Sequence, residues 1–332
     1  MIKLAIDMGS TVTKIYLGGV VLSEPSCVAV SGIDREVKAI GKEAKQLFGK
    51  TAELTDIVFP VYEGEIVESR LAAAMLKEFL SRIKIKPRLL SKIEVLFSVP
   101  CGASKSLIAD YAALAEECGL RKVYFVESPY LAALGMGATL SEANPVFCLN
   151  IGGGTTNVAA LSLGGVIAGL SMNIGGNNMD MNVIRTVEQS KQLRIGMLTA
   201  ERVKNEIGSL SMYPNMTRTT VAEGSSCITN RPASVSVSAA DISPCISVYV
   251  DKILEYAGLV LNKLPAEVAA NVNKNGIYLS GGVAKVQGIN EYVYKMLGML
   301  VCPAEEPQYA VVTGGGILIH NEKLLKKLAI EY

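Results

Sequence analysis

Residues 147–161 read FCLNIGGGTTNVAAL. An apolar, β-rich run enters three glycines, two threonines follow and a second apolar run leaves, which is the pattern of a strand, a turn and a returning strand. Backbone N–H groups in a tight glycine turn can converge on phosphate oxygens, because no Cβ obstructs the approach. Bound phosphate usually brings a divalent cation, and such cations prefer carboxylate oxygens. The residue at the mouth of the first strand is nevertheless an amide, Asn150.

The same plan occurs a second time, nearer the start. KLAIDMGSTVTKIYLGG (3–19) and FCLNIGGGTTNVAALSLGG (147–165) share an apolar strand, a polar residue, a glycine turn with hydroxyls, a return strand and a closing Gly-Gly. Laid over one another, Asp7 meets Asn150, Gly9 meets Gly152 and Thr13 meets Thr156. Two copies of a hairpin point to two related lobes facing each other, although either hairpin alone could recur by chance in a β-containing protein. Around the hairpins, helical and strand patterns alternate. ESRLAAAMLKEFLSRI (68–83), SKSLIADYAALAEECGL (104–120), PYLAALGMGATL (129–140), TAERVKNEIGSL (199–210) and ISVYVDKILEYAGLVLNKL (246–264) read as helices. KIEVLFSVP (92–100), VYFVES (123–128), SVSVSA (234–239) and GIYLSGG (276–282) read as strands, so the fold class is α/β throughout.

Composition narrows the function classes. With 332 residues, 50% hydrophobic and 19% charged, the chain has enough apolar surface for two cores and none of the character of a disordered protein. Lysine plus arginine number 32 against 31 acids, so net charge gives no reason to expect nucleic acid as a partner. Seven scattered cysteines without a C-x-x-C pair, and one histidine, His320, read as reduced thiols in a cytosolic compartment and not as a metal site. The opening MIKLAIDMGS enters a strand at once and lacks the features of an export signal. No charge appears between Glu142 and Asp180, but eight glycines break that stretch. A membrane-spanning helix needs ~20 largely apolar residues without such breaks, so buried strands explain it better.

Three glycine-rich elements stand in order: IDMGSTVTK (6–14), LNIGGGTTN (149–157) and YLSGGVAKVQG (278–288). Their order resembles the actin, Hsp70 and sugar-kinase superfamily, and within it the chain resembles the MreB family of filament-forming bacterial cell-shape proteins. VLSEPSCVAV (21–30), IGKEAKQLFGKT (40–51), VYEGEIVES (61–69), SVPCGAS (98–104), VYFVESPYLAALGMG (123–137), TAERVKNEIGS (199–209) and VVTGGG (311–316) carry that similarity nearly end to end. The resemblance implies a two-lobed actin-like ATPase fold with duplicated phosphate-binding β-hairpins. It divides the chain into subdomains IA (1–32, 67–143 and 308–332), IB (33–66), IIA (144–180 and 247–307) and IIB (181–246).

The site the resemblance implies binds ATP or ADP. Gly9, Ser10, Thr11, Thr13, Gly152, Gly153, Gly154, Thr155 and Thr156 would hold phosphate, and Asp7 would hold Mg2+ through water. Glu201, Lys204, Asn205, Gly208, Gly281, Gly282 and Val283 would surround adenosine. The plainer reading of Asp7 is a turn cap, and a Glu201/Lys204 pair three apart on a helix, read without the resemblance, is usually a solvated face.

Two departures from the family pattern bear on catalysis. Family members carry Asp where Asn150 stands, and Glu, the residue that positions the attacking water, where Ser128 stands. Glu127 is one step earlier in a strand, where side chains alternate faces, so it should point elsewhere, although it or another acid could substitute. Asn keeps hydrogen-bonding capacity but supplies no charge, and losing an outer carboxylate weakens a metal site ~10- to 100-fold. A positioned acid–base group contributes on the order of 100- to 10,000-fold in rate. No residue is therefore assigned a catalytic role, Mg2+ binding should be weakened, and hydrolysis should be slow or absent.

RIKIKPRLLSK (82–92) sets Leu89 and Leu90 among five cations. An exposed apolar pair with a basic rim suits an anionic membrane, as the resemblance also implies, whereas leucines packed inward would make an ordinary loop. The expectation is a cytoplasmic filament protein, peripheral at the inner membrane face, self-associating and able to join an active paralogue or membrane-bound shape proteins. The alternative is a competent ATPase or chaperone-like enzyme that acts without filaments. Against a chaperone, the sequence after VVTGGG leaves little room for a peptide-binding domain; against a sugar kinase, no motif identifies an acid for the acceptor hydroxyl.

Overall fold

The computed structural model describes residues 2–32, 34–49, 55–85, 92–211 and 217–331. Its first half runs β1 (Lys3–Met8), β2 (Val12–Tyr16), β3 (Val20–Pro25), β4 (Val28–Ser31), β5 (Val37–Ile40), α1 (Lys42–Leu47), β6 (Thr55–Val58), β7 (Val61–Tyr62), β8 (Glu65–Ile66), α2 (Ser69–Arg82), β9 (Glu94–Val99), α3 (Lys105–Glu117), β10 (Lys122–Glu127) and α4 (Ser128–Gly135). The second half runs β11 (Val146–Ile151), β12 (Thr156–Ser162), β13 (Gly165–Met172), α5 (Gly176–Lys191), β14 (Leu193–Arg194), α6 (Met197–Ile207), β15 (Thr219–Ser226), β16 (Pro232–Ser238), α7 (Ala239–Leu261), α8 (Ala266–Asn275), β17 (Ile277–Ser280), α9 (Ile289–Leu297), β18 (Val301–Cys302), α10 (Ala310–Ile319) and α11 (Glu322–Leu328).

The duplication seen in the sequence is a duplication of topology. One five-stranded sheet has the order β3-β2-β1-β9-β10 and the other β13-β12-β11-β17-β18. In each, an antiparallel meander comes first and parallel pairing follows. The register agrees as well: Asp7 lies opposite Lys14 and Asn150 opposite Asn157. Met8 likewise lies opposite Thr13, and Ile151 opposite Thr156. Smaller sheets, β5-β4-β6 and β14-β15-β16, extend from the two halves.

Each half has its own core. Leu4, Ile6, Phe79 and Phe97 belong to the first, and Leu149, Val158, Ile246 and Leu279 to the second. A third cluster joins them, taking Leu96 and Val126 from one sheet, Cys148 and Ala159 from the other, and Leu131, Val311 and Leu318 from α4 and α10. Burial pushes the Cys148 thiol up to about 12, so it packs there as a small neutral hydrophobe.

Helices α4 and α10 can approach so closely because glycine faces backbone on both. A Cβ on Gly314 would overlap the Leu131 carbonyl, and one on Gly135 would overlap the Ala310 carbonyl. Gly314→Ala is therefore expected to destabilise the chain by about 1–3 kcal/mol, the cost of overpacking, read as a lower urea midpoint at unchanged slope. A neutral result would mean that the helices can slide apart without loss.

Local chemistry sets the element boundaries. The Ser104 hydroxyl caps α3 by accepting from the Leu107 N–H at 3.1 Å. Pro129 opens α4, where a missing N–H costs nothing. Helix α7 starts seven residues earlier than its apolar pattern predicts. Ser238 and Asp241 form a reciprocal capping box that fixes the start, and Pro244 is carried inside the helix at the cost of one backbone bond.

Candidate functional site

The two hairpin turns meet at the mouth of a cleft of about 580 Å³. Gly9, Ser10 and Thr11 line it from one side, and Gly152, Gly153, Gly154 and Thr155 from the other. The tips interlock closely enough to require glycine. A Cβ on Gly153 would overlap the Thr11 side chain, and one on Gly154 would collide with Ser10. The Thr11 hydroxyl donates to Asn177 Oδ1 at 3.1 Å across the two halves, and Gly64 N–H donates to Ser10 Oγ at 3.2 Å.

Two of the nine expected phosphate residues face the wrong way. Thr13 and Thr156 are fully buried; the Thr13 hydroxyl meets Ser26 Oγ at 2.8 Å, and that of Thr156 donates to the Ile174 carbonyl at 2.7 Å. Each sits at the start of its return strand, where the alternation of side chains turns it behind the hairpin. Their hydroxyls brace the turns from behind.

The chemistry at the mouth lies in two matched cross-strand pairs. Ser98 Oγ donates to Asp7 Oδ1 at 2.7 Å, while the Lys14 ammonium meets Asp7 Oδ2 at 3.1 Å. In the other half, Ser280 Oγ donates to Asn150 Oδ1 at 3.1 Å, and Asn157 Oδ1 accepts from Cys101 N–H at 2.8 Å. Ser98 on β9 and Ser280 on β17 hold equivalent places. Each pair is neutral, the first by ion pairing and the second by composition.

Ser128 lines the cleft, and its hydroxyl donates to the Val99 carbonyl at 2.8 Å. Glu127 is not among the described residues that line it. Its carboxylate accepts from Gly102 N–H at 2.6 Å, and burial raises its pKa against that bond. Glu127 ends β10 and Ser128 begins α4, and of the two it is Ser128 that lines the cleft.

At the other end, Glu201, Lys204, Asn205, Gly208, Gly281, Gly282 and Val283 all line the cleft. The pair at 201 and 204 is not a solvated face. Lys204 is buried and lies 2.8 Å from Asp180, and it also donates to the Gly176 carbonyl at 3.1 Å. Burial pushes the Asp180 carboxyl up to about 6 even beside this ammonium. Glu201 reaches across to Lys45 of α1 at 2.6 Å, a clasp between the halves. Gln308 Oε1 is buried in the cleft wall without a partner among the described residues, an acceptor suited to an exocyclic amine.

The donor set does not suit a divalent ion held by protein carboxylates. At the mouth, Asp7 is the one acid among the described residues that line it, and both its oxygens are already engaged. Nor do the described residues contain a cluster of three or more His, Cys, Asp or Glu placed to bind a metal.

A family model described as MreB/Mbl protein matches residues 1–327. The chain belongs to the MreB/Mbl family. The cell shape-determining protein MreB of Escherichia coli strain K12 is 32% identical over 320 residues, covering 94% of this chain and 92% of that protein. MreB5 of Spiroplasma citri, solved with ADP, superposes with a TM-score of 0.90 at 29% identity, covering 98% of this chain and 97% of that one. The same protein solved with AMPPNP gives 0.91. A MamK double helical filament subunit, 20% identical with a TM-score of 0.80 over 96% of this chain and 99% of that one, shares the fold. The fold is actin-like, and the α/β reading with duplicated hairpins holds.

Several residues of this MreB/Mbl cleft escaped the sequence reading. Lys14 is the residue after Thr13 in the first hairpin, and the register of β1 with β2 places it opposite Asp7. Asp180 was visible only as the acid ending a long uncharged stretch, while Lys45 and Gln308 carry no local signal because they arrive from other parts of the chain. Leu89 and Leu90 lie outside the described residues.

Proposed function

We propose that this chain is a cytoskeletal subunit that assembles into filaments with copies of itself, holds ATP or ADP between its hairpins, and hydrolyses the nucleotide slowly or not at all. Membership of the MreB/Mbl family and likeness to MreB5, which has been solved with ADP and AMPPNP, support the first two parts. The third rests on one observation. The two cleft positions where the family carries acids hold Asn150 and Ser128, and Glu127, the nearest candidate to replace them, is turned to Gly102.

The proposal places the filament at the inner face of the cell membrane, where many weak anchors act together. No helix of the described residues is long and apolar enough to cross a membrane, so attachment would be peripheral, through an anionic lipid surface or membrane-bound shape proteins. A chain that binds without turning over would act as a persistent subunit, alone or copolymerised with an active paralogue.

High-speed sedimentation with ATP, with ADP and without nucleotide, paired with phosphate release, tests this reading. Pelleting with negligible release is the expected result. A protein that stays in the supernatant while releasing phosphate would be a soluble ATPase, and the reading would fail.

A further inference from the structure

We infer that the Lys14 ammonium serves as the counter-cation of the bound nucleotide's phosphates, so that this chain binds ATP and ADP without needing Mg2+. The inference rests on the nucleotide reading above and concerns what neutralises the phosphates.

The geometry places an ammonium, shared with Asp7, on the cleft wall beside the glycine turns. Lys14 lines the cleft on the return strand of the first hairpin, directly opposite Asp7. Its Nζ is anchored 3.1 Å from Asp7 Oδ2, and its side chain is only 15% exposed, so the charge is both positioned and partly desolvated. Such a charge attracts phosphate more strongly than one in bulk water. Ser98 holds the other Asp7 oxygen at 2.7 Å, leaving the carboxylate to orient the ammonium. A lysine ammonium binds phosphate as a point charge and retains donors after its bond to the carboxylate.

The facing hairpin removes the competing requirement. With Asn150 opposite Asn157, that side offers no negative charge for a metal to balance and none to repel phosphate. The Asn150 carbonyl is taken by Ser280, which leaves its amide as a donor toward the cleft. Lys14, Asn150 and the glycine-turn N–H groups then form a mouth made of donors.

Titration calorimetry of ATP into the full-length protein, once in MgCl2 and once in EDTA, tests the inference. The unaltered chain should show dissociation constants within about threefold of each other in the two buffers. Lys14→Gln should weaken binding in EDTA by about 10- to 100-fold, the value of a hydrogen bond to a charged group, and MgCl2 should restore most of that loss by reaching the freed Asp7. That crossover separates a counter-cation from a residue that only stabilises the hairpin, whose loss metal would not repair. Lys14→Arg should keep binding in EDTA. If the unaltered chain loses more than about tenfold of its affinity in EDTA, the inference fails while the nucleotide reading stands. Absence of binding in both buffers overturns both, and because these two arms use the unaltered chain, misfolding of a variant leaves the test intact.

Discussion

Asn150→Asp combined with Ser128→Glu is expected to raise phosphate release by on the order of 100-fold or more, with nucleotide affinity changed far less. Ser128 is the first residue of α4, at the point where β10 ends, and it lines the cleft. A carboxylate there would project toward the nucleotide, whereas Glu127, one residue earlier, is held by Gly102 N–H on the other face of the strand. Asn150→Asp restores the second acid on β11, where Ser280 already supplies a hydrogen bond to the side-chain oxygen at 3.1 Å. Both positions line the cleft, and neither carries a charge. Each single change should yield less than the pair, because positioning of water and charge act as a unit. Phosphate release in a single-turnover assay is the measurement. Brisk release by the unaltered chain, with no gain from the double change, would mean that another acid positions the water.

Lys204→Met is expected to cost about 3–5 kcal/mol of stability near neutral pH, because it strands a buried carboxylate without its partner. Asp180 is 4% exposed and Lys204 9% exposed at a separation of 2.8 Å. The pH dependence has a definite sign. The Asp180 carboxyl is raised to about 6 in the folded chain, against an ordinary value of 3.8. The folded state therefore retains a proton that the unfolded state releases, and this contribution to stability is complete below about pH 4 and lost as pH rises through about 6. Without the ammonium the carboxyl should rise further, so the deficit of Lys204→Met should be largest at pH 7 and narrow toward pH 5. Adding Asp180→Asn should recover part of the loss at pH 7, since it removes the charge itself. Urea midpoints across that range decide the matter. A loss under about 1 kcal/mol, flat with pH, would mean that water reaches the pair.

The class and the duplication were legible in the sequence alone. These are local properties: a glycine turn between apolar strands is written in consecutive residues, and the overlay of 3–19 on 147–165 became the observed register of both sheets. Period-two alternation also sufficed to turn Glu127 away from the cleft. The same rule, applied one residue further, would have turned Thr13 and Thr156 inward and brought Lys14 opposite Asp7. Tertiary packing set the remaining contacts. Lys204 changed from a helix-surface cation to a buried one because α5 brings Asp180 against α6 from 24 residues away. Glu201 found Lys45 across 156 residues, and Gln308 entered the cleft from the far end of the chain. Such partners depend on how the two halves close on one another through α4 and α10, and that closure is set by glycines whose role appears only where another backbone passes within van der Waals reach. Spacing along a chain fixes which face a side chain takes, while its charge state and partner depend on what folding places opposite.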